Sequence, residues 1–372
     1  MIYLDNAATT KPYNDVTNIM AKVNEEFWAN PSSTHHEGQK VLNLIDEARE
    51  SIAKIINAKP KEIYFTSGGS EGDNFVLKGL AFAKNNSKKT IITSTIEHHA
   101  IIETCKDLER LGFNIIYLKP NTNGIITPEL LKSAINDDVF LVSIMYVNNE
   151  VGVIQPIDEY IKICHENNIL FHSDMVQAVP YLDIDVKKLD VDLITVSAHK
   201  FHGPKGIGFV YIKDNIKINN LIFGGNQERG KRAGTLNTPA ILGLNTAFYL
   251  TEQNRNDDFK KVSKLRDYFE KEILNNFSFA KINCGNELRS PSISNVYFEG
   301  FLSSNIVVYL DLNNVCVSSG PACTAGSEQP STVITSIYDE NRAKSSVRFS
   351  FSSDNTIEEI DKVIALLKEF FN

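Results

Sequence analysis

A chain of 372 residues with 42% hydrophobic and 23% charged side chains can bury a large core, either as two domains or as one large domain with a smaller lobe. The formal net charge of -8, with no run of five basic residues, argues against nucleic acid or an anionic membrane as the main partner. There is no signal peptide pattern, no apolar stretch near the roughly 20 residues that span a bilayer, and no Cys-x-x-Cys pair. These features predict a reduced, cytoplasmic protein.

Short β-branched segments alternate with amphipathic segments through the first part of the chain. The predicted strands are Glu62–Thr66, Thr90–Ser94, Asn114–Leu118, Phe140–Met145, Ile169–His172, Asp192–Val196 and Gly208–Ile212. Helical patterns lie between several of them, at Asp73–Lys84, His99–Leu111 and Ile157–Asn167. This alternation predicts an α/β fold with a mostly parallel sheet covered by helices. Ligands of such sheets bind beyond the carboxyl ends of the strands, so polar residues that follow strands are candidates for a site.

The pattern changes near Thr246, where a smaller α/β lobe begins. Its predicted elements are a charged helix at Thr251–Phe277, strands near Ser294–Phe298 and Val347–Phe351, and a final helix at Thr356–Phe371. We predict a large domain over residues 15–245 and a small domain made of residues 1–14 and 246–372.

Lys200 lies just after the predicted strand Asp192–Val196, in a segment that glycines and a proline then turn. A lysine fixed there is suited to an imine with pyridoxal phosphate (PLP), provided that burial keeps its amine neutral. The alternative is an ordinary solvated lysine.

Asp174 and Gln177 follow the predicted strand Ile169–His172. PLP enzymes place a carboxylate against the pyridine nitrogen because a protonated ring is the better electron sink, which is the role predicted for Asp174. Gln177 can reach the phenolic oxygen of the ring. The alternative for Asp174 is a helix N-cap.

The loop Thr66–Glu71 joins a strand to a helix. Backbone amides at the helix start, from Gly69 onward, and the Ser70 hydroxyl form an anion site suited to a phosphate ester, although most Gly-Gly turns merely reverse the chain. Ser197 and His199, beside Lys200, are expected to close on the same phosphate.

His98 follows the predicted strand Thr90–Ser94, where an imidazole can stack on the cofactor ring and act as acid or base. A zinc site is not predicted, because adjacent His98 and His99 cannot both point at one metal and no cysteine pair completes the ligand set.

Arg348 interrupts the apolar strand pattern of Ser345–Ser350. A buried guanidinium needs an anionic partner, and the carboxylate of an amino-acid substrate suits its planar geometry. The alternative is an internal salt bridge.

Cys323 lies among small, polar and turn-forming residues in the segment Ser318–Ser327, which offers no apolar face to bury the thiol. This exposure makes it a candidate nucleophile. Cys316, between two valines, has instead the setting of a core cysteine.

Together these residues resemble the cysteine desulfurases of the NifS/IscS type, within the class V aminotransferase family of fold-type I PLP enzymes. The resemblance extends from Tyr3 to about Phe351. The matching motifs are Tyr3–Thr10, Asn30–Ser33, Thr66–Asn74, Val147–Gly152, His172–Gln177, Ser197–Gly206, Arg232–Thr235 and Ser318–Ser327.

The resemblance implies a PLP site in a homodimer whose active sites lie at the subunit boundary. Lys200 would bind the cofactor covalently, with His98 stacked on its ring and Asp174 and Gln177 as ring partners. The residues implied to hold the phosphate are Ser70, Ser197 and His199, with Thr235 reaching across from the other subunit.

The implied activity is removal of sulfur from L-cysteine, which gives L-alanine and a persulfide on Cys323. Asn149 and Arg348 would bind the substrate carboxylate. The sulfur would pass to an acceptor protein, either a scaffold for iron–sulfur cluster assembly or a tRNA-thiolation enzyme. The sequence leaves this choice open.

The chain departs from the family pattern at a few positions. Pro321 stands where relatives usually have serine. Ser70 replaces the more usual threonine, and Gly72 replaces a small residue that is bulkier than glycine. The chain ends 49 residues after Cys323, whereas other members of the family extend further with a tail that helps to dock the iron–sulfur scaffold; the resemblance therefore does not by itself imply docking of that kind here.

The residues also allow two other functions. One is a selenocysteine lyase or aminotransferase of the same fold, in which Cys323 is incidental. The other is a PLP-free protein that keeps the fold for protein contacts.

Overall fold

The computed structural model describes residues 1–84, 86–320 and 330–372. Its strands are β1 (Ile2–Tyr3), β2 (Ile63–Thr66), β3 (Thr90–Ser94), β4 (Asn114–Leu118), β5 (Val139–Ser143), β6 (Leu170–Asp174), β7 (Leu193–Ser197), β8 (Gly208–Ile212), β9 (Ala280–Ile282), β10 (Ile293–Phe298), β11 (Val315–Cys316) and β12 (Ser346–Ser350).

The α-helices cover the sheets and connect them. They are α1 (Asn14–Glu26), α2 (His36–Ile55), α3 (Gly69–Ala81), α4 (His99–Arg110), α5 (Pro128–Ala134), α6 (Ile157–Glu166), α7 (Val186–Leu189), α8 (Thr238–Asn276), α9 (Ser303–Leu312), α10 (Thr332–Ile337), α11 (Glu340–Lys344) and α12 (Ile357–Phe371).

The main sheet has seven strands in the order β2-β8-β7-β6-β5-β3-β4, and only β8 runs antiparallel to its neighbours. Strands β3, β5, β7 and β8 are buried along their whole length. Helices on both faces bury such strands, which explains why they are apolar runs without a polar alternation. The mostly parallel, helix-covered α/β fold predicted from the sequence is confirmed.

The carboxyl ends of β3, β5, β6 and β7 meet at one edge of this sheet, because the four strands are parallel. Asp174 is the last residue of β6 and Ser197 the last of β7, so both strands extend further than predicted. A 3-10 turn, Ala198–Lys200, follows β7 directly and carries Lys200.

A smaller antiparallel sheet, with the order β12-β10-β9, forms the second lobe. Helix α8 links the two lobes and is much longer than predicted, since it begins at Thr238 rather than at Thr251. Its start is defined by Asn237, whose side chain accepts a hydrogen bond from the Ala240 amide, and by a proline in the first turn.

Apolar packing follows the two lobes. The first half of α8, including Ile241 and Phe248, packs in the core of the large sheet, whereas Val262 and Phe269 of the second half pack in the core of the small one. Leu4 also belongs to the small core. The division at residue 245 falls inside α8, and it stays a prediction.

Across the described residues, every helix is too short or too polar to cross a bilayer.

Candidate active site

A cavity of about 360 Å³ lies at the carboxyl edge of the main sheet. Nearly all residues predicted for the site line it: Gly69, Ser70, His98, Asn149, Asp174, Gln177, Ser197, His199, Lys200 and Arg348. Positions up to about 280 residues apart in the chain therefore converge on one space. The cavity is large enough for a compact ligand with a phosphate group.

Of the predicted site residues that the structure describes, Thr235 is not among those that line the cavity. Thr235 is exposed and lines a separate cavity of about 210 Å³ with Thr66 and Ser67. Cys323 and Pro321 lie outside the described residues.

Lys200 is held by the N-terminal segment, a contact that the sequence did not indicate. Its Nζ donates to the carbonyl oxygens of Ala7 and Ala8 at 2.6 and 2.7 Å. Gln177 Nε2 donates to the same Ala7 oxygen at 2.9 Å. The segment thus forms one wall of the cavity and fixes two of the predicted residues relative to each other.

Asp174 is buried at the end of β6, and the Val176 amide donates to its Oδ1 at 2.9 Å. Burial raises the pKa of Asp174 to about 6, an effect that the Val176 amide and the Lys200 charge oppose. A cationic ring nitrogen placed against this carboxylate would also oppose the rise in the pKa of Asp174. The carboxylate would in turn stabilise the protonated nitrogen.

Asp73 of α3 also lines the cavity and is a site residue that the sequence does not predict. It is 1% exposed, and its nearest basic group is His172 Nε2 at 3.9 Å. Burial and the neighbouring Asp174 raise the pKa of Asp73 well above its ordinary value. Its position in a predicted helix does not indicate a site residue, because acidic residues are common on helices.

His98 is the N-cap of α4, and its Nδ1 accepts a hydrogen bond from the Ala100 amide at 3.1 Å. Burial, followed by the charges of Lys200 and His99, lowers the pKa of His98 to about 4. The ring is therefore neutral at pH 7, and its proton lies on Nε2 because Nδ1 is an acceptor.

The start of α3 forms the anion-binding part of the cavity. Gly68, at a φ of 143°, precedes the helix in a conformation that favours glycine, and a Cβ there would lie 3.5 Å from Ser197 Oγ. The free amides of the first helical turn, the Ser70 hydroxyl and Ser197 thus converge on one space, as a phosphate requires. His199 is close by and bonds Thr9 Oγ1 at 3.2 Å through Nδ1.

Arg348 is 2% exposed in β12 and lines the same cavity. Its Nη1 donates to the Asn149 carbonyl oxygen at 2.8 Å and its Nη2 to Asp5 Oδ1 at 2.9 Å. The internal salt bridge left open by the sequence is therefore present, with Asp5. Arg348 Nε and Asn149 Oδ1 are buried polar atoms with no hydrogen-bond partner among the described residues, which leaves capacity for a ligand.

The described cysteines are unpaired: Cys105, Cys164 and Cys284 are buried, and Cys316 is partly buried. Burial raises the pKa of the Cys316 thiol, so it is not a stabilised thiolate. It lies in β11, paired with Tyr3, and is only partly buried, so it is not the core cysteine that the sequence predicts.

Comparison with known proteins agrees with this geometry. Residues 2–363 match the family model described as aminotransferase class-V. The cysteine desulfurase IscS of Dictyoglomus turgidum is 43% identical over 368 residues, which are 99% of this chain and 93% of the relative. The putative cysteine desulfurase IscS 1 of Bacillus subtilis is 43% identical over 361 residues, 96% of this chain and 95% of the relative.

Solved structures of similar proteins share this fold. A NifS-like protein superimposes with a TM-score of 0.94 at 35% identity, covering 100% of this chain and 99% of the other. A structure titled SspA in complex with cysteine superimposes with a TM-score of 0.84 at 37% identity, covering 94% and 99%.

The chain is an enzyme of the class V aminotransferase family, with the PLP-dependent fold-type I architecture. Within that family it belongs to the cysteine desulfurases of the IscS and NifS type.

The cofactor of this family is PLP, and the residues around the cavity fit it. The cavity offers a lysine amine, a buried carboxylate at Asp174, a neutral imidazole at His98 and the amide-rich start of α3. These are the groups needed by an aldehyde, a pyridine nitrogen, an aromatic ring and a phosphate, respectively.

Proposed function

We propose that this enzyme removes the sulfur atom of L-cysteine, releases L-alanine and retains the sulfur as a persulfide on Cys323. The carbon–sulfur bond of the substrate breaks and a sulfur–sulfur bond to Cys323 forms. The Cys323 thiol proton is in effect transferred to the carbon that becomes the methyl group, so no external oxidant or reductant is needed. The observation that carries this proposal is the convergence of Lys200, Asp174 and Arg348 on one cavity.

When bound, PLP supplies an electron sink for bonds at the α- and β-carbons of an amino acid. Lys200 would bind the cofactor and then take the proton from the substrate α-carbon and return a proton. Asp174 would keep the pyridine nitrogen protonated, and Gln177 would donate to the phenolic oxygen. Gly69, Ser70, Ser197 and His199 would hold the phosphate.

The substrate carboxylate would be held by Arg348 and Asn149. Within the described part of the chain Arg348 Nε has no hydrogen-bond partner, and Asn149 lines the same cavity. His98 would carry protons to and from sulfur, for which a neutral imidazole with a proton on Nε2 is suited.

The sulfur on Cys323 would pass to a cytoplasmic acceptor protein, either an iron–sulfur scaffold or a tRNA-thiolation enzyme. We also propose that the enzyme acts as a homodimer in which Thr235 of one subunit completes the phosphate site of the other. The position of Thr235 outside the cavity of its own chain supports this arrangement.

The test is to incubate the PLP-loaded enzyme with L-cysteine and to measure alanine and protein-bound persulfide together. We expect equal amounts in the first turnover, with the extra sulfur on the peptide that contains Cys323. Cys323→Ala should lower alanine formation at least about 100-fold, because the acceptor of the sulfur is gone.

Cys316→Ser is the matched control, since it removes a second thiol close in sequence. This variant should retain wild-type turnover. Alanine formation by Cys323→Ala at the wild-type rate would contradict the proposal and favour another reaction of the same fold.

A further inference from the structure

Arg348 makes hydrogen bonds through both its side chain and its backbone. The guanidinium bonds Asp5 and the Asn149 carbonyl. The backbone pairs with Ser318: the Arg348 amide donates to the Ser318 oxygen at 2.7 Å, and the Ser318 amide donates to the Arg348 oxygen at 3.2 Å. Arg348 therefore contacts the chain five residues before Cys323.

Asp5 adds a side-chain link at the same place. Ser318 Oγ donates to Asp5 Oδ1 at 3.0 Å, and this oxygen also accepts from Arg348 at 2.9 Å. One carboxylate oxygen thus joins the guanidinium to the first end of the segment that carries Cys323. Such bonds to charged groups are stronger than bonds between neutral groups.

Glu150 accepts a similar hydrogen bond from a serine that follows Cys323 in the chain. Ser331 Oγ donates to Glu150 Oε2 at 2.5 Å, and Ser331 is also the N-cap of α10, accepting from the Ile334 amide at 3.0 Å. Glu150 is 2% exposed and follows Asn149, whose carbonyl bonds Arg348. Burial raises the pKa of Glu150, while the Ser331 hydroxyl and the positive charge of Arg348 lower it.

The Ser318–Asp5 and Ser331–Glu150 hydrogen bonds involve different parts of the chain but the same chemical groups. In each, an acidic side chain beside Arg348 accepts a hydrogen bond from a serine hydroxyl, once before and once after Cys323. Neither serine is a residue to which the proposed reaction gives a role. A buried carboxylate such as Glu150 is costly to keep in the core, so its use at this position calls for a purpose beyond packing.

We propose that Asp5 and Glu150 are positioning residues that fix both ends of the Cys323-bearing segment beside the arginine that binds the substrate carboxylate. This inference rests on the proposed function, because it supposes that Cys323 attacks the sulfur of a substrate held at Arg348. The anchors act on the approach of the thiol to the substrate and leave the cofactor site unchanged.

The serine variants test this without disturbing the ion pair of Arg348. In single-turnover experiments with the PLP-loaded enzyme, Ser318→Ala and Ser331→Ala should each slow persulfide formation about tenfold, since each loses a bond to a charged acceptor. Affinity for L-alanine, which lacks sulfur, should stay within about twofold when measured by the absorbance of the bound cofactor. Ser318→Thr and Ser331→Thr keep the hydroxyl and should restore most of the rate.

Ser319→Ala and Ser336→Ala are the matched controls. Ser319 is the exposed neighbour of Ser318, and Ser336 lies on α10 but bonds Thr95. Both should retain the wild-type rate of persulfide formation.

Two results would overturn the inference: unchanged persulfide rates in both alanine variants, or an equal loss of L-alanine affinity, which would indicate a general structural defect. Failure of the proposed function has a different signature. In that case the wild-type enzyme forms no persulfide on Cys323, and Cys323→Ala keeps making alanine.

Discussion

At the scale of single residues, burial moves the pKa values of carboxyl groups and imidazoles around the cavity in opposite directions. It raises the pKa of Asp174 to about 6 and lowers that of His98 to about 4. Both shifts have the same cause, the loss of water around the charged form. A neutral imidazole and an anionic carboxylate therefore coexist near pH 7, the pair that the proposed chemistry requires.

His98→Phe separates the stacking role of His98 from its proton transfer. The phenyl ring can still pack on the cofactor, so we expect PLP content to remain near wild type. Alanine formation should fall about 100-fold, the usual contribution of an acid–base group. His99→Asn, on the adjacent residue of α4, is the control and should retain activity. Turnover of His98→Phe within twofold of wild type would remove His98 from the proton pathway.

Glu97 gives a prediction about stability and pH. Burial raises its pKa to about 8, against an ordinary value of 4.5. Between these values the folded protein holds a proton that the unfolded chain releases, so the stability of the PLP-free protein falls as pH rises. From pH 7 to pH 8 the contribution of Glu97 is a loss of about 1 kcal/mol in the free energy of unfolding.

Glu97→Gln should remove this contribution, because an amide does not titrate. Urea unfolding of the PLP-free wild type and variant at pH 7 and pH 8 measures the difference directly. The buried histidines do not interfere, since the pKa values of His98 and His172 lie at about 4 and 3. Equal pH dependence in both proteins would show that Glu97 is not protonated in this window.

At the scale of elements, close packing of α3 on the sheet explains one departure from the family pattern. A Cβ on Gly72 would lie 2.6 Å from Thr195 Cγ2 and 3.0 Å from Val210 Cγ2. Side chains of β7 and β8 thus occupy the space that a larger residue would need. Glycine at this position lets α3 approach the sheet and bring Gly69 and Ser70 to the cavity.

Gly72→Ala should destabilise the protein by about 1–3 kcal/mol through overpacking, as measured by denaturant unfolding. Thr195→Ser removes the methyl group nearest to the new Cβ and keeps the hydroxyl that bonds His172 at 3.0 Å. The double variant should therefore recover part of the loss, and a strictly additive result would argue against the clash.

The predictable elements are those whose residues carry a local signal. The predicted bounds of the seven strands of the main sheet agree with the structure within about two residues, because buried β-branched runs are distinctive. The predicted start of α8 is wrong, since residues 238–248 are apolar on most sides and buried in the large core, which removes the amphipathic period. Asn237 and the following proline were the available signals.

The candidate site divides in the same way. Side chains at strand ends, such as Asp174 and Lys200, could be predicted because parallel topology brings those ends together. The contacts of Lys200 with the Ala7 and Ala8 carbonyls could not be predicted. A backbone oxygen is present in every residue, and Lys200 lies far from both alanines in the chain. The role of Asp5 beside Arg348 was hidden for a related reason, because the contact joins opposite ends of the chain.

At the scale of the whole molecule, the N-terminal segment connects the two lobes through the cavity. Leu4 packs in the small core, and the Leu4 oxygen accepts from the Ser350 amide at 2.7 Å. A few residues later, Thr10 bonds the His199 oxygen through its amide at 2.9 Å, beside Lys200. The segment therefore fixes β12, with Arg348, relative to the turn that carries Lys200.

The proposed homodimer extends this sharing of residues across subunits, and it predicts complementation between two defective variants. Lys200→Ala should abolish activity, and Thr235→Val should weaken PLP binding and lower activity at limiting PLP. If Thr235 serves the partner subunit, a mixed dimer has one site with both defects and one intact site. Co-expressed mixed dimers, purified through two different tags, should therefore show about half of the wild-type activity at limiting PLP.

The mixed dimer has a different activity if Thr235 serves its own subunit. If Thr235 serves the site of its own chain, no site in the mixed dimer is intact, and activity stays at or below that of Thr235→Val alone. Thr238→Val is a control, because Thr238 is a buried residue at the start of α8 and lies outside both cavities. Light scattering on the same preparations measures the oligomeric state, and a monomer that retains full activity would exclude a shared site.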